Sequence, residues 1–295
     1  MENKNTLAYL AWISVCFVWS TTYLAIRIGV TDLPPMLFAG LRWIFSGTVF
    51  LIFLLLRGYK LPKPADIKHI AVVGLALLGV GNGLVVVGEQ WIPSGIAALL
   101  IATLPFWVTG LEAAVPSSPR VSKTTISGII IGLVGVLLIF RSELENLTNP
   151  DYLLGMLLVL VAVTSWASGS LYSKYKKVDV HPLMNATFQM LIAGSVQVFI
   201  GLVLGEHTDF NFTTNSLYAF FYLAIVGSIA GYAFYIYAIN HLPVSLVTTY
   251  AYINPILALI LGWFVLDEKL DLSIAFAGSI VLAAVYLVRR GTLKS

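Results

Sequence analysis

Hydrophobic residues occur along this chain in long runs, separated by short segments rich in proline, glycine, asparagine or charge. Ten runs meet or approach the roughly 20 apolar residues that an α-helix needs to cross the hydrocarbon core of a bilayer. Because lipid offers no hydrogen-bond partner to backbone amides, each run is predicted to be helical. The predicted spans are Leu7–Ile28, Met36–Leu56, Ile70–Gln90, Ile96–Val115, Thr125–Phe140, Leu153–Tyr172, Leu183–Leu204, Leu217–Ile239, Val244–Leu266 and Leu272–Val288.

The two halves of the chain share landmark residues at nearly constant offsets. An offset of 147 residues pairs Trp19 with Trp166, and an offset of 150 pairs Pro105 with Pro255. Five spans per repeat is an odd number, so the second repeat is predicted to enter the membrane upside down relative to the first. The predicted units are a first repeat at 7–140, an outer linker at 141–152 and a second repeat at 153–290.

Composition and charge agree with a protein that crosses a membrane many times. The chain is 59% hydrophobic and 11% charged, with a mean hydropathy of +0.91, which exceeds what a soluble domain could bury. Thirteen of the 17 lysines and arginines fall in segments that share one side, so both termini are predicted to be cytoplasmic. The net charge of +3 therefore reflects topology, and no nucleic-acid partner is predicted.

Two prolines lie near the middle of predicted spans, Pro105 in the fourth and Pro255 in the ninth. A proline has no amide hydrogen and clashes with the carbonyl four residues earlier, so the carbonyls of Ile101 and Ala251 lose their usual partners. In lipid, such a defect must be buried in protein or face a wet cavity. A packed kink is the alternative, but the symmetric placement favours helices kinked around a central cavity.

Polar and aromatic side chains recur at helical spacing on faces that could line this cavity. On the first span, Cys16, Trp19 and Tyr23 are three and four residues apart, which places them in one stripe. Interfacial aromatic belts and hydrogen bonds between helices are the alternatives, and they suit residues near span ends. The predicted substrate-binding residues are Trp19, Ser20, Thr22, Trp166, Asn82, Tyr232, Tyr250 and Asn254.

Few ionisable groups fall within the predicted spans. Glu89, near the outer end of the third span and close to water, is the candidate for proton coupling or for binding an amine. Arg42 is interpreted as a structural cation paired with backbone or with a carboxylate. The chain lacks a P-loop, and its four histidines have no metal-ligand spacing, so no catalytic residue, cofactor or metal site is predicted.

Four stretches together resemble a known family: WSTTYLAIRIGV, PPMLFAGLRW, GNGLVVVGEQWIPSGIAALLIATLP and SLVTTYAYINPILALILGWFVLDEKL. They are similar to the drug/metabolite transporter (DMT) superfamily, specifically its ten-helix members with two EamA repeats, and the first three are most similar to the YedA-type branch of predicted metabolite exporters. The resemblance implies an inverted-repeat fold whose cavity is lined by spans one, three, four, six, eight and nine. One departure is that Asp267 and Glu268 align with Ser117 and Ser118 of the first repeat.

Together, these features predict an all-α integral membrane protein of the bacterial cytoplasmic membrane with ten transmembrane helices. We expect a secondary transporter, not an enzyme, that exports small amphipathic metabolites such as amino acids by alternating access. The predicted partners are a small-molecule substrate and membrane lipid, with the protein a monomer or a homodimer. A membrane-embedded enzyme or regulator without transport activity, and a channel, remain the alternatives.

Overall fold

The computed structural model describes residues 2–114, 122–142, 146–176, 178–242, 250–269 and 272–292. These residues form helices joined by short turns, and they contain no β-strand, which confirms the all-α class. Seven of the described helices are long and apolar enough to cross a membrane, and three shorter apolar helices fall in the fifth, ninth and tenth predicted spans. The crossing of all ten spans and the side of the termini stay predictions. The start of the predicted ninth span, at 244–249, and the aligned pair Ser117 and Ser118 lie outside the described residues.

The helices follow the predicted spans closely, although several spans are built from more than one segment. In the first half they are α1 (Glu2–Asp32), α2 (Pro35–Leu56), α3 (Pro64–Gly74), the π-helix π1 (Leu75–Asn82), α4 (Gly83–Gly88), α5 (Ser94–Ile101), α6 (Leu104–Ala113) and α7 (Lys123–Ser142). In the second half they are α8 (Pro150–Tyr175), α9 (Pro182–Val203), α10 (Thr214–Phe221), the π-helix π2 (Tyr222–Ala230), α11 (Gly231–His241), α12 (Tyr250–Leu266) and α13 (Leu272–Thr292). Short 3₁₀ turns occupy Asn146–Thr148 and Glu206–Thr208.

Two carboxylates of the second half cap helices of the first half. Glu206 accepts hydrogen bonds from the amide of Met36 at 3.2 Å and from that of Leu37 at 2.7 Å, at the start of α2. Glu268 accepts from both the amide and the hydroxyl of Ser94 at 2.9 Å, at the start of α5. The first amides of a helix lack partners within the helix and favour negative charge, so these contacts fasten the two halves together.

The third and eighth predicted spans each contain a π-helical segment, which loosens the regular hydrogen-bond ladder. Side chains from neighbouring helices satisfy carbonyls within these segments. The amide of Gln197 donates to the carbonyls of Leu78, at 2.9 Å, and Gly79, at 3.0 Å, in π1. The hydroxyl of Ser46 donates to the carbonyl of Ala224, at 3.0 Å, in π2. Irregular backbone is tolerated at membrane depth when protein groups satisfy it in this way.

The helix contacts follow the internal repeat. The first span, α1, packs against the eighth and ninth spans through α11 and α12, and the sixth span, α8, packs against the third and fourth through π1, α5 and α6. The second and seventh spans, α2 and α9, contact each other, as do the fifth and tenth, α7 and α13. The first span corresponds to the sixth in the internal repeat, and the eighth and ninth correspond to the third and fourth. The contacts of α1 therefore correspond to those of α8.

Two glycines, Gly40 and Gly194, allow the backbones of α2 and α9 to lie close together. A Cβ atom added to Gly40 would lie 2.8 Å from the carbonyl oxygen of Gly194, and one added to Gly194 would lie 2.8 Å from that of Gly40. Close backbone contact at small residues is typical of helix pairs in membranes, where dispersion forces dominate helix association.

The buried core lies between the repeats, and the outer faces are apolar. The largest buried cluster joins α5, α6, α8 and α13, and a second joins α1, α2 and α4 to α10 and π2. On the outer faces of α7 and α13, Leu137 and Phe276 are 68% and 65% exposed. Such exposed apolar side chains suit a bilayer as solvent.

The two prolines predicted to kink helices act differently. In the fourth span α5 ends at Ile101 and a turn at Ala102 and Thr103 leads into α6, in which Pro105 is the second residue, where no amide hydrogen is required. Pro255 is buried within α12, which continues through it. The sequence pairing of these prolines therefore does not extend to their local backbone structure.

Candidate functional site

A cavity of about 140 Å³ lies between the two repeats. Its lining comes from the six spans that the resemblance implies, and α2 adds Arg42 and Trp43. Seven of the eight predicted substrate-binding residues line it: Trp19, Thr22, Asn82, Trp166, Tyr232, Tyr250 and Asn254. The described residues of α7 and α13 contribute none of the lining, in keeping with their position at the periphery.

Aromatic side chains form one wall of the cavity. The ring of Trp19 meets that of Tyr250 edge to face, with centroids 4.8 Å apart, and that of Tyr232 at 6.0 Å. The indole nitrogen of Trp19 donates to the carbonyl of Gly227 in π2, at 3.2 Å. Edge-to-face pairs stabilise one another by about 0.5–1.5 kcal/mol beyond the area that they bury, so this wall is held in a defined shape.

Each cavity tryptophan packs against a glycine of the other repeat. A Cβ atom on Gly231 would lie 2.6 Å from the indole nitrogen of Trp19, and one on Gly81 would lie 3.1 Å from Cε3 of Trp166. Both glycines sit at one end of a π-helical segment. The two tryptophans and the two glycines thus form equivalent contacts on opposite sides of the cavity.

Ser20, the eighth predicted residue, is fully buried and is not part of the cavity lining. Its hydroxyl donates to the carbonyl of Cys16 at 2.5 Å and lies 3.0 Å from the amide of Asn254. The surrounding acceptors orient the amide nitrogen of Asn254 toward this hydroxyl and toward the carbonyl of Tyr250, both at 3.0 Å. In this arrangement Ser20 joins α1 to α12 and holds Asn254 at the cavity.

Arg42 is a buried cation at the cavity surface, and its side chain is only 3% exposed. Its Nη2 donates to Oδ1 of Asn82 at 2.5 Å, and Nε1 of Trp43 donates to the same oxygen at 3.1 Å. The guanidinium carbon lies 4.2 Å from the centroid of the Trp43 ring. The partners of Arg42 are therefore an amide and an aromatic ring, not the backbone group or carboxylate that the sequence interpretation named. An arginine inside an apolar run is itself the signal that could have placed α2 at the site.

Glu89 lies immediately after α4 and is completely buried, so the expected proximity to water is wrong. Neither of its carboxylate oxygens has a hydrogen-bond partner among the described residues. Its backbone carbonyl accepts a hydrogen bond from Nη1 of Arg27. The side chain is not among the residues that line the cavity.

Within the described part of the chain, no three His, Cys, Asp or Glu side chains are grouped as a metal site would need.

Apolar helices packed around a small aromatic and polar cavity define a multi-pass membrane protein of the transporter class. The chain belongs to the EamA-like transporter family, whose sequence profile matches residues 6–141 and 153–290. This confirms the family that the four sequence stretches resemble.

Two relatives and one solved structure extend this result. The uncharacterised inner membrane transporter YedA of Escherichia coli K12 is 36% identical over 95% of this chain and 90% of its own length. The uncharacterised transporter YoaV of Bacillus subtilis is 29% identical over 94% of this chain and 95% of its own. A crystal structure with 20% sequence identity covers 95% of this chain and 96% of its own, with a TM-score of 0.64, and shows that the fold is shared.

Proposed function

We propose that this protein is a secondary transporter of the cytoplasmic membrane that exports small amphipathic metabolites, such as amino acids, by alternating access. Membership of the EamA-like family and the inner membrane assignment of the relative YedA support this proposal. The observation that carries it is the cavity between the repeats, because a small aromatic-walled cavity with a few polar groups suits a small amphipathic solute.

The helix contacts support alternating access as the mechanism. Exchange of the repeats maps the contacts of α1 onto those of α8, so an inverted repeat would form an equivalent cavity open to the opposite side. The cavity walls then stay in contact with substrate while the repeats rock around it. Contacts such as that of Glu268 with Ser94 would break as one side opens.

Glu89 is the proposed proton-coupling residue. A buried carboxylate without a hydrogen-bond partner is costly when charged, so its protonation would respond to a conformational change that admits water. Arg27 of the first span donates a hydrogen bond to the backbone carbonyl of Glu89. Glu268, which caps α5 at Ser94, belongs to the second repeat and would move relative to Glu89 if the repeats rocked.

The direct test is uptake of radiolabelled amino acids into proteoliposomes, with and without an imposed pH gradient. We expect saturable uptake of at least one amino acid, and a gradient response that is lost in Glu89→Gln. The exposed carboxylate variant Asp209→Asn serves as the matched control and should respond like the wild type. A wild-type gradient response in Glu89→Gln would remove Glu89 from the coupling mechanism. Absence of saturable uptake across the whole panel would contradict the amino-acid assignment.

A further inference from the structure

We propose that Arg42 and Asn82 form a binding site for a carboxylate group of the substrate. The inference rests on the proposed transport function and specifies the chemistry of its substrate. It concerns the part of the cavity that α2 and π1 line with Arg42 and Asn82.

The guanidinium of Arg42 has unused hydrogen-bonding capacity at the cavity. Its one hydrogen bond runs from Nη2 to Oδ1 of Asn82, and its Nε is buried without a partner among the described residues. An arginine presents five N–H donors in a planar fork, so most of them remain available. Because an unpaired charged donor in a buried site is unfavourable, a substrate acceptor would be bound strongly here.

Asn82 is oriented to assist as a second donor. Its Oδ1 accepts from both Arg42 and Trp43, which fixes the amide with its oxygen toward these two residues. The amide nitrogen makes no hydrogen bond with the described residues, and Asn82 lines the cavity. A carboxylate that met the free edge of the guanidinium could therefore also accept from Asn82 Nδ2.

The charge of the cavity selects for an anionic group. Arg42 is the one side chain of the described lining that is charged at neutral pH, because that lining contains no Asp, Glu, Lys or His. No carboxylate of the described residues lies within ion-pair distance of Arg42. The one ion pair among the described residues joins Lys63 to Asp179, both of which are exposed.

A carboxylate matches this site better than other groups do. Two parallel N–H···O bonds between guanidinium and carboxylate combine charge with fixed geometry. The rest of the lining is largely apolar, including Ile26, Val163 and Leu223, and suits an aliphatic or aromatic remainder. A cationic group would meet Arg42 and no counter-charge in the lining. The shared chemistry fits both an amino acid and a simple organic acid.

The test measures ligand-induced thermal stabilisation of the purified full-length protein in detergent. The probes are matched sets with one side chain each: L-leucine, leucinamide and 4-methylpentanoate, and L-phenylalanine, phenylalaninamide and 3-phenylpropanoate. We expect at least one carboxylate probe to raise the unfolding temperature at millimolar concentration, and its amide counterpart to have no effect. Stabilisation by the amino acid but not by the simple acid would indicate that the site binds amino acids. Stabilisation by both would indicate that the carboxylate alone is recognised, as in a simple organic acid.

Three variants and one control link the effect to the site. Arg42→Gln should weaken binding of the carboxylate probe roughly ten- to a hundredfold, as expected for the loss of a charged hydrogen bond. Asn82→Asp keeps the side-chain volume and the contact with Arg42 but supplies a competing carboxylate, so it should weaken binding at least as much. Arg42→Lys keeps the charge without the fork and should give an intermediate affinity. Arg57→Gln, in the exposed residue that follows α2, should bind like the wild type.

The outcomes separate this inference from the proposed transport function. Equal stabilisation by the amide probes, wild-type affinity in Arg42→Gln, or no stabilisation by any carboxylate probe would each overturn the carboxylate site. If stabilisation depends on Arg42 but no probe exchanges across proteoliposomes, the binding site stands and transport by this protein is contradicted. If leucinamide exchanges equally well in Arg42→Gln and in the wild type, transport stands and the inference fails.

Discussion

Trp19 and Trp166 shape the cavity because each packs against a glycine of the other repeat. The contact distances leave no space for even one added methyl group at Gly231, and little at Gly81. A side chain at either glycine would push the indole into the cavity or separate the helices. The position of each indole ring thus requires glycine at the facing position, which substitution can test.

Gly231→Ala is expected to impair both stability and transport. Its Cβ atom would lie 2.6 Å from the indole nitrogen of Trp19, and overpacking of this kind costs about 1–3 kcal/mol. Gly110→Ala is the control, because a Cβ atom there meets nothing within 4 Å and alanine favours the helix. Thermal unfolding in detergent and uptake into proteoliposomes give the two readouts. Equal behaviour of the two variants would show that the Trp19 contact has no role.

Tyr250→Ala and Asn254→Ala are expected to reduce flux while expression in the membrane stays intact. Loss of the Tyr250 ring removes the edge-to-face contact with Trp19 and one wall of the cavity, which should weaken substrate affinity about tenfold. Loss of the Asn254 amide releases the link through Ser20 to α1. Tyr218→Ala, at a side chain that is 71% exposed, is the control. Wild-type flux in Tyr250→Ala and Asn254→Ala would remove both residues from the site.

Helical spacing was sufficient to predict most of the cavity residues but not their neighbours. Trp19 and Thr22 are three residues apart and share a face, whereas Ser20 follows Trp19 by one residue and so turns away from the cavity. The sequence interpretation treats Arg42 as a structural cation and not as part of the substrate site. Its burial depends on the packing of π1 and Trp43 around it, which a single sequence does not reveal.

At the scale of elements, π1 and π2 distinguish the third and eighth spans from regular helices. Hydropathy could not predict them, because the residues of π1 and π2 are as apolar as those of their neighbours. The turn that separates α5 from α6 is likewise predicted by the sequence only as a kink. Thr103 lies in this turn, and its amide, at 3.1 Å, and its hydroxyl, at 2.6 Å, both donate to the carbonyl of Leu100 near the end of α5. The lengths and order of the spans, in contrast, follow directly from the apolar runs.

Gln197→Leu is expected to destabilise the protein by about 1–3 kcal/mol, because it removes the side-chain donor to the carbonyls of Leu78 and Gly79 in π1. Gln189→Leu, on the same helix, is the matched control. Gln189 donates to Asn185 one turn earlier and holds no carbonyl of π1, so its loss should cost less. Thermal unfolding of both variants measures the difference. A larger loss in the control would argue against support of π1 by Gln197.

At the scale of the whole molecule, the inverted repeat predicts a specific membrane topology. Thirteen of the 17 lysines and arginines lie on the predicted inner side, which predicts that both termini are cytoplasmic and that the linker at 141–152 is outside. A fluorescent-protein fusion at the C-terminus should therefore fluoresce, and an alkaline phosphatase fusion ending within the linker should be active. An inactive phosphatase at the linker together with a dark C-terminal fusion would reverse the topology.

Both the binding cavity and alternating access are tested most directly by counterflow. Proteoliposomes that hold the wild-type protein are preloaded with an unlabelled amino acid, and entry of the same labelled compound is followed over time. A carrier predicts saturable entry that preloading accelerates, and Tyr250→Ala predicts a strong reduction of this exchange. Flux that rises linearly with concentration and ignores the internal compound would indicate a channel and contradict the account.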